Sequence, residues 1–152
     1  MLTKINTGRA LLGGLVAAVI IDVIEGVMNG VVLKADWAAA MHALGKSGDV
    51  SGSAIAIYNI GGLLYGIIGV WLYGALISRY GWGSTTAAKA GLVVWAMTSA
   101  LPNLMWMPSG ILPANLMTYS VMTDFVAILL GVTMGSLLYR EELVSLGRTV
   151  HA

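Results

Sequence analysis

Four apolar stretches alternate with short polar segments along this chain. They cover residues 10–33, 54–77, 86–107 and 114–139, and the first reads almost continuously as Ala, Val, Ile, Leu, Met and Gly. An α-helix needs about 20 such residues, at roughly 1.5 Å each, to cross a bilayer. The pattern therefore predicts an all-α, polytopic integral membrane protein, built as a bundle of four transmembrane helices.

The composition leads to the same class of protein. Of the 152 residues, 58% are hydrophobic and 10% charged, and the mean hydropathy of +0.85 means more apolar surface than one soluble core can bury. The length fits one transmembrane domain, residues 1–152, in contact with the lipid bilayer. The net charge of +1 comes from scattered basic residues without a basic stripe, so no nucleic-acid partner is expected.

Lysine and arginine residues are distributed unequally between the two sides of the four stretches. Six lie on the side of the termini, namely Lys4, Arg9, Arg79, Lys89, Arg140 and Arg148. Only Lys34 and Lys46 lie on the other side, so the excess of basic residues predicts that both termini are cytoplasmic. A secretory signal is the alternative for residues 10–33, but this stretch exceeds the usual apolar core of about 7–15 residues and carries two acids.

Three acids lie inside the apolar stretches, where an ionisable side chain is costly and rarely kept without a function. Counted from the middle of each stretch, Asp22 lies near the bilayer centre, and Glu25 and Asp124 lie about 5 and 4 Å outward. Apart from Lys89, near the cytoplasmic end of the third stretch, no Lys or Arg falls within the four stretches. The acids are therefore either protonated and hydrogen-bonded between helices, or neutralised by a cation, a cationic ligand or a basic residue of another subunit.

Asparagines extend this polar set outward. Asn29, Asn59 and Asn103 each lie about 9 to 11 Å outward of the centre, one in each of the first three stretches. Pro102 lacks an N–H and is expected to free a carbonyl near Thr98. The sequence thus predicts a polar vestibule that opens outward and serves as a ligand or partner site, formed by Asp22, Glu25, Asn29, Asn59, Asn103 and Asp124.

Glycines separated by three residues occur in three of the four stretches. The pairs are Gly26 and Gly30, Gly62 and Gly66, and Gly131 and Gly135. This spacing flattens one side of a helix so that another backbone can approach closely. We expect these six glycines to form helix-packing faces, either inside the bundle or against another membrane protein or a second copy of this chain.

Neither a metal site nor a cofactor is expected. His42 and His151 are the only imidazoles, they lie on opposite sides, and the chain has no cysteine. Asp22 and Asp124 also lack the Gly-x-Gly-Asp setting of intramembrane aspartyl proteases. We therefore expect a protein that is not an enzyme.

Several short motifs carry a family resemblance. They are Gly13-Gly14-Leu15, Glu25, Asn29-Gly-Val-Val-Leu33 and Trp37 within residues 6–37, with Gly69-Val-Trp-Leu-Tyr73 and Leu138-Tyr-Arg140 further along. With these motifs the chain resembles small four-span bacterial membrane proteins of unknown function. The resemblance implies a multi-pass protein of the bacterial inner membrane and brings no activity with it.

Two functional classes remain open from the sequence. The first is an accessory or assembly subunit that packs against other membrane proteins through its glycine faces and buried acids. The second is a small membrane binding or transport protein with an outward-facing site for a cation, a proton or a small ligand at Asp22, Glu25 and Asp124.

Overall fold

Four helical segments in this computed structural model are long and apolar enough to cross a membrane. They are Thr7–Val32, Gly52–Tyr80, Ser84–Ser109 and Ala114–Ser136, and they match the predicted stretches to within three residues at each end. The structure describes residues 5–140, so Lys4 and Arg148, which entered the orientation argument, lie outside the described residues. Between residues 5 and 140 the regular secondary structure consists of helices joined by short turns and irregular segments, without strands.

Two of the four segments change helix type along their length. The first consists of α1 (Thr7–Val27) and a π-helical turn, Met28–Val32. The third consists of α4 (Ser84–Trp95), a second π-helical turn (Ala96–Ala100), α5 (Leu101–Trp106) and a short 3-10 turn (Met107–Ser109). The remaining helices are α2 (Lys34–Ala43), α3 (Gly52–Tyr80) and α6 (Ala114–Ser136).

Pro102 explains the second π-helical turn. Its ring would clash with the carbonyl of Thr98, and it has no N–H to donate to that carbonyl. The chain widens instead, and Leu101 N–H donates to the carbonyl of Ala96, five residues earlier.

The polar segment after the first membrane-spanning segment folds in part into a helix. α2 begins at Lys34, directly after the first π-helical turn. It rests on an apolar cluster of Leu33, Ala40 and Leu116, which joins α2 to the start of α6. We call the end of the molecule that carries α2 and residues 108–113 the α2 end.

α1 packs between α3 and α6, and α4 packs against the other sides of α3 and α6. Small residues bring the backbones together at these crossings. An added Cβ on Gly13 would stand 2.5 Å from the carbonyl oxygen of Gly135, and one on Gly14 would stand 2.6 Å from Ile67 Cα. The face of α1 that meets its neighbours is therefore formed by Gly13, Gly14, Ala17 and Ala18, which are all buried.

The three glycine pairs differ in what they contact. Four of their members are buried at helix crossings: Gly62 and Gly66 on α3, and Gly131 and Gly135 on α6. Gly26 and Gly30 are exposed, and a Cβ on either would have no atom within 4 Å. This pair therefore does not pack inside the described part of the chain, and the first turns of α3, before Gly62, are exposed as well, with Tyr58 at 68%. The other alternative for Gly26 and Gly30, a face for a second protein or copy, stays a prediction.

At the end opposite α2, aromatic side chains gather where the chain enters and leaves the helices. The rings of Tyr73, Trp82 and Tyr139 lie within 6.3 Å of one another, centroid to centroid. The Tyr139 hydroxyl accepts a hydrogen bond from Asn6 N–H (3.2 Å), so this cluster ties the start of α1 to the end of α6. Gly74 lies directly beneath the Tyr139 ring.

Candidate functional site

Glu25 and Asn29 form the first half of a polar network. They lie one turn apart where α1 becomes the first π-helical turn, and Asn29 Nδ2 donates to Glu25 Oε2 at 2.7 Å. Trp37 Nε1, on α2, donates to Asn29 Oδ1 at 2.9 Å. The Asn29 amide therefore links the acid inside the membrane-spanning segment to the helix that follows it.

Asp124 on α6 and Ser99 on the second π-helical turn form the other half. Ser99 Oγ donates to Asp124 Oδ2 (2.5 Å), and Asn103 Nδ2 donates to the Ser99 carbonyl at 2.9 Å. Ser99 is buried. Pro102 contributes indirectly, because the widened helix that it imposes contains Ser99 and sets the position from which its hydroxyl reaches Asp124.

The two halves meet through their carboxyl groups. The Glu25 side chain lies within hydrogen-bonding range of the Asp124 side chain, and Tyr65 on α3 is close enough to interact electrostatically with both. We call Glu25 and Asp124 the acid pair. Its members come from the first and the fourth membrane-spanning segments, and Ser99, from the third, is bonded to it.

Two buried polar atoms near the acid pair have no hydrogen-bond partner among residues 5–140. They are Glu25 Oε1 and the hydroxyl of Ser120, which lies one turn before Asp124 on α6. Two ionised carboxyl groups offer only acceptors to each other. A proton carried by one member of the acid pair would supply the donor that the second Glu25 oxygen otherwise lacks.

Asp22 points elsewhere. Its carboxyl group is lodged against Gly62 of α3, where a Cβ on the glycine would overlap an Asp22 oxygen. Gly14, Ala18 and Asp22 follow one another at four-residue spacing on the face of α1 that meets α3. Glu25, three residues on, lies on the side facing Asp124, yet Asp22 remains near enough to act on it electrostatically.

Asn59 is not brought to this network. Its side chain is exposed, because the first turns of α3 stand clear of α1. Of the six residues predicted for the polar site, Glu25, Asn29, Asn103 and Asp124 thus form one connected network, Asp22 lies beside it, and Asn59 lies apart.

Ser99, Trp37, Tyr65 and Ser120 were not among the site residues predicted from the sequence. Ser99 could have been found from the sequence. It precedes Asn103 by four residues, so the two lie on the same side of a helix, and it lies just before Pro102. Trp37 had no such signal, because its bond to Asn29 depends on the fold of α2.

A shallow cavity of about 270 Å³ opens at the α2 end beside α5, with Asn103, Trp106 and Met117 among its lining residues. Asn103 donates to the Ser99 carbonyl, and the Ser99 hydroxyl donates to Asp124. Asn103 and Ser99 therefore connect this cavity to the acid pair.

No family model, no curated protein and no solved structure matches this chain.

Proposed function

We propose that this chain is a non-catalytic, multi-pass membrane protein that binds one proton reversibly between Glu25 and Asp124, as part of a small binding or transport system. The observation that carries the proposal is the approach of two carboxyl groups from different membrane-spanning segments, one of them with a buried oxygen that has no donor between residues 5 and 140. In this proposal the four segments form a bundle in a bacterial inner membrane, with both termini in the cytoplasm and the α2 end outside.

Charge balance supports a bound positive charge at the acid pair. Lys89 is the one Lys or Arg within the four stretches, and its ammonium group lies over the Tyr80 ring at the end opposite α2. Two adjacent carboxylates without a basic partner would repel each other in apolar surroundings. One shared proton removes the repulsion and provides the missing donor. A dedicated metal site is less suitable, because no three carboxylate or imidazole groups between residues 5 and 140 are placed to hold one ion.

The local helix geometry supports a functional role. Both π-helical turns contain a residue of the network, Asn29 in the first and Ser99 in the second. π-Helical turns occur frequently at functional sites, where an extra residue redirects side chains at some cost to the helix. If hydrogen bonding between helices were the only requirement, amides would supply it without a titrating group.

The geometry favours this proposal over a subunit whose acids dock onto another protein. The Glu25 and Asp124 side chains lie close enough to interact, and the donors to them come from this chain: Asn29 to Glu25, and Ser99 to Asp124. A basic side chain of a partner is therefore not needed to neutralise them.

The proposal is tested by the pH dependence of thermal stability in Glu25→Gln, Asp124→Asn and the double variant, with Asp36→Asn, an exposed acid on α2, as the control. A pair that holds one shared proton when folded and releases it on unfolding makes stability fall as pH rises, by up to about 1.4 kcal/mol per pH unit. Each single variant should reduce this slope and the double variant should abolish it, whereas Asp36→Asn keeps it. A double variant with the wild-type slope would refute the proposal.

A second function is favoured by a separate observation. Gly26 on α1 and Gly30 on the first π-helical turn are exposed, and a Cβ on either would have no atom within 4 Å in the described part of the chain. We propose that these glycines pack against a second membrane helix, which would make the protein an accessory subunit or a homo-oligomer. In mild detergent, the wild-type protein should then form a complex larger than one chain. Gly26→Leu should abolish this complex, and the control Val27→Leu should preserve it. A wild-type monomer without a companion contradicts this function.

A further inference from the structure

Side-chain hydrogen bonds connect α2 to the acid pair. Its Trp37 indole donates to Asn29, which donates to Glu25, so two hydrogen bonds connect the helix to the acid pair. The same indole packs half-buried against the cluster of Leu33, Ala40 and Leu116. α2 thus bridges the end of the first membrane-spanning segment and the start of the fourth.

Few contacts hold α2 in this place. Ala40 is its only buried residue, and the rest of the helix is exposed or half-buried. The segment that follows, residues 44–51, is mostly exposed and contains Gly45 at a φ of +70°. A helix of ten residues seated by one small apolar cluster and one indole hydrogen bond can leave its seat without disturbing the crossings of α1, α3 and α6.

We propose that α2 is a lid over the acid pair, latched by the hydrogen bond from Trp37 to Asn29, and that its opening admits protons from the aqueous phase at the α2 end. This inference rests on the proposed proton site. With the lid closed, Trp37 occupies Asn29 Oδ1 and so fixes the amide with its NH₂ toward Glu25. With the lid open, the amide is free to turn and Glu25 gains access to water.

The lid carries no titrating group of its own against Glu25. The titratable groups that act on Glu25 are Asp22 on α1 and Asp124 on α6, with Tyr65 nearby on α3. On α2 the charged or titratable side chains are those of Lys34, Asp36 and His42, and all three are exposed. Opening is therefore governed by the apolar seat and by the Trp37 latch.

The test measures how fast a water-soluble carbodiimide, which reacts with protonated carboxyl groups, modifies Glu25 in the full chain reconstituted in lipid vesicles. Trp37→Phe removes the N–H and keeps an aromatic ring, so it should speed modification about fivefold, as expected for one lost hydrogen bond. Trp106→Phe, at an exposed ring of the same end, is the matched control and should leave the rate unchanged.

A second variant closes the lid. The chain has no cysteine, so Ala40→Cys with Leu116→Cys introduces one unique pair within the apolar seat. Oxidation should lower the modification rate at Glu25 at least tenfold, and reduction should restore it.

Equal rates in the oxidised, reduced and Trp37→Phe proteins would overturn the lid, and so would failure of the cysteine pair to cross-link, since α2 would then not be seated on α6. Failure of the proton site has a different signature. In that case neither Glu25 nor Asp124 is modified in any variant, in detergent or in lipid, and the lid is refuted with it.

Discussion

Replacing Gly66 by alanine should weaken the crossing of α1 and α3. A Cβ at this position would overlap the carbonyl oxygen of Gly14 and would stand 2.7 Å from Ala18 N and 3.2 Å from Ala17 Cβ. Two of these atoms belong to the α1 backbone, which cannot rotate away as a flexible side chain would. The two helices must therefore separate to admit one methyl group.

The size of the effect follows from that separation. Ordinary contact needs about 3.4 Å or more, so the backbones must move apart by roughly 0.5–1 Å, which forfeits a quarter to a half of each close contact along the crossing. Overpacking of this kind costs about 1–3 kcal/mol. Gly61→Ala is the matched control. Gly61 lies on the same helix, and a Cβ there would have no atom within 4 Å.

Both substitutions gain about 0.5–1 kcal/mol from the loss of glycine in a helix, and this gain cancels in the comparison. Gly66→Ala should therefore be less stable than Gly61→Ala by about 1–3 kcal/mol, a factor of about 5 to 150 in the unfolding equilibrium. Unfolding in mixed micelles, followed by circular dichroism and tryptophan fluorescence, measures the difference. If Gly66→Ala proves as stable as Gly61→Ala, the close approach of α1 and α3 is wrong.

Two further substitutions test the network and the aromatic cluster. Ser99→Ala removes the donor to Asp124 and should lower the free energy of unfolding by about 1–3 kcal/mol, with Ser99→Thr restoring part of it; an unchanged value would show that the bond contributes nothing. Gly74→Ala places a Cβ 2.7 Å from the Tyr139 ring, which is almost fully buried. It should lower the free energy of unfolding by about 1–2 kcal/mol and shift the fluorescence emission of the adjacent Trp82. Unaltered emission would mean that the Tyr139 ring had not moved.

The depth of each side chain could be estimated from the sequence, because a helix advances by a fixed rise per residue. That rule placed Glu25 and Asp124 at nearly one level, and the structure brings their carboxyl groups together. The same rule placed Asn59 level with Asn29, yet Asn59 lies apart from the network. Depth is a property of one helix, whereas lateral distance depends on how far two helices diverge.

The fold of α2 and the kinks of the third segment show a similar division. Pro102 made a local disturbance predictable, since a missing N–H is a chemical property of the residue. That the disturbance becomes a π-helical turn carrying Ser99 toward Asp124 depends on what α6 presents there. Trp37 finds Asn29 only because Leu33, Ala40 and Leu116 seat α2 across the ends of two membrane-spanning segments.

The sequence by itself determined the four apolar helices and their approximate limits, because the length and hydrophobicity of a run are local properties that suit a bilayer whatever the neighbours are. Only the tertiary structure decided which glycines are used and where each acid points. Three glycine pairs have the same spacing, but a flat face matters only where another backbone lies against it, as at Gly66 and Gly131 and not at Gly26. Asp22 and Glu25, three residues apart, are likewise divided between α3 and α6 by the packing of α1 between them.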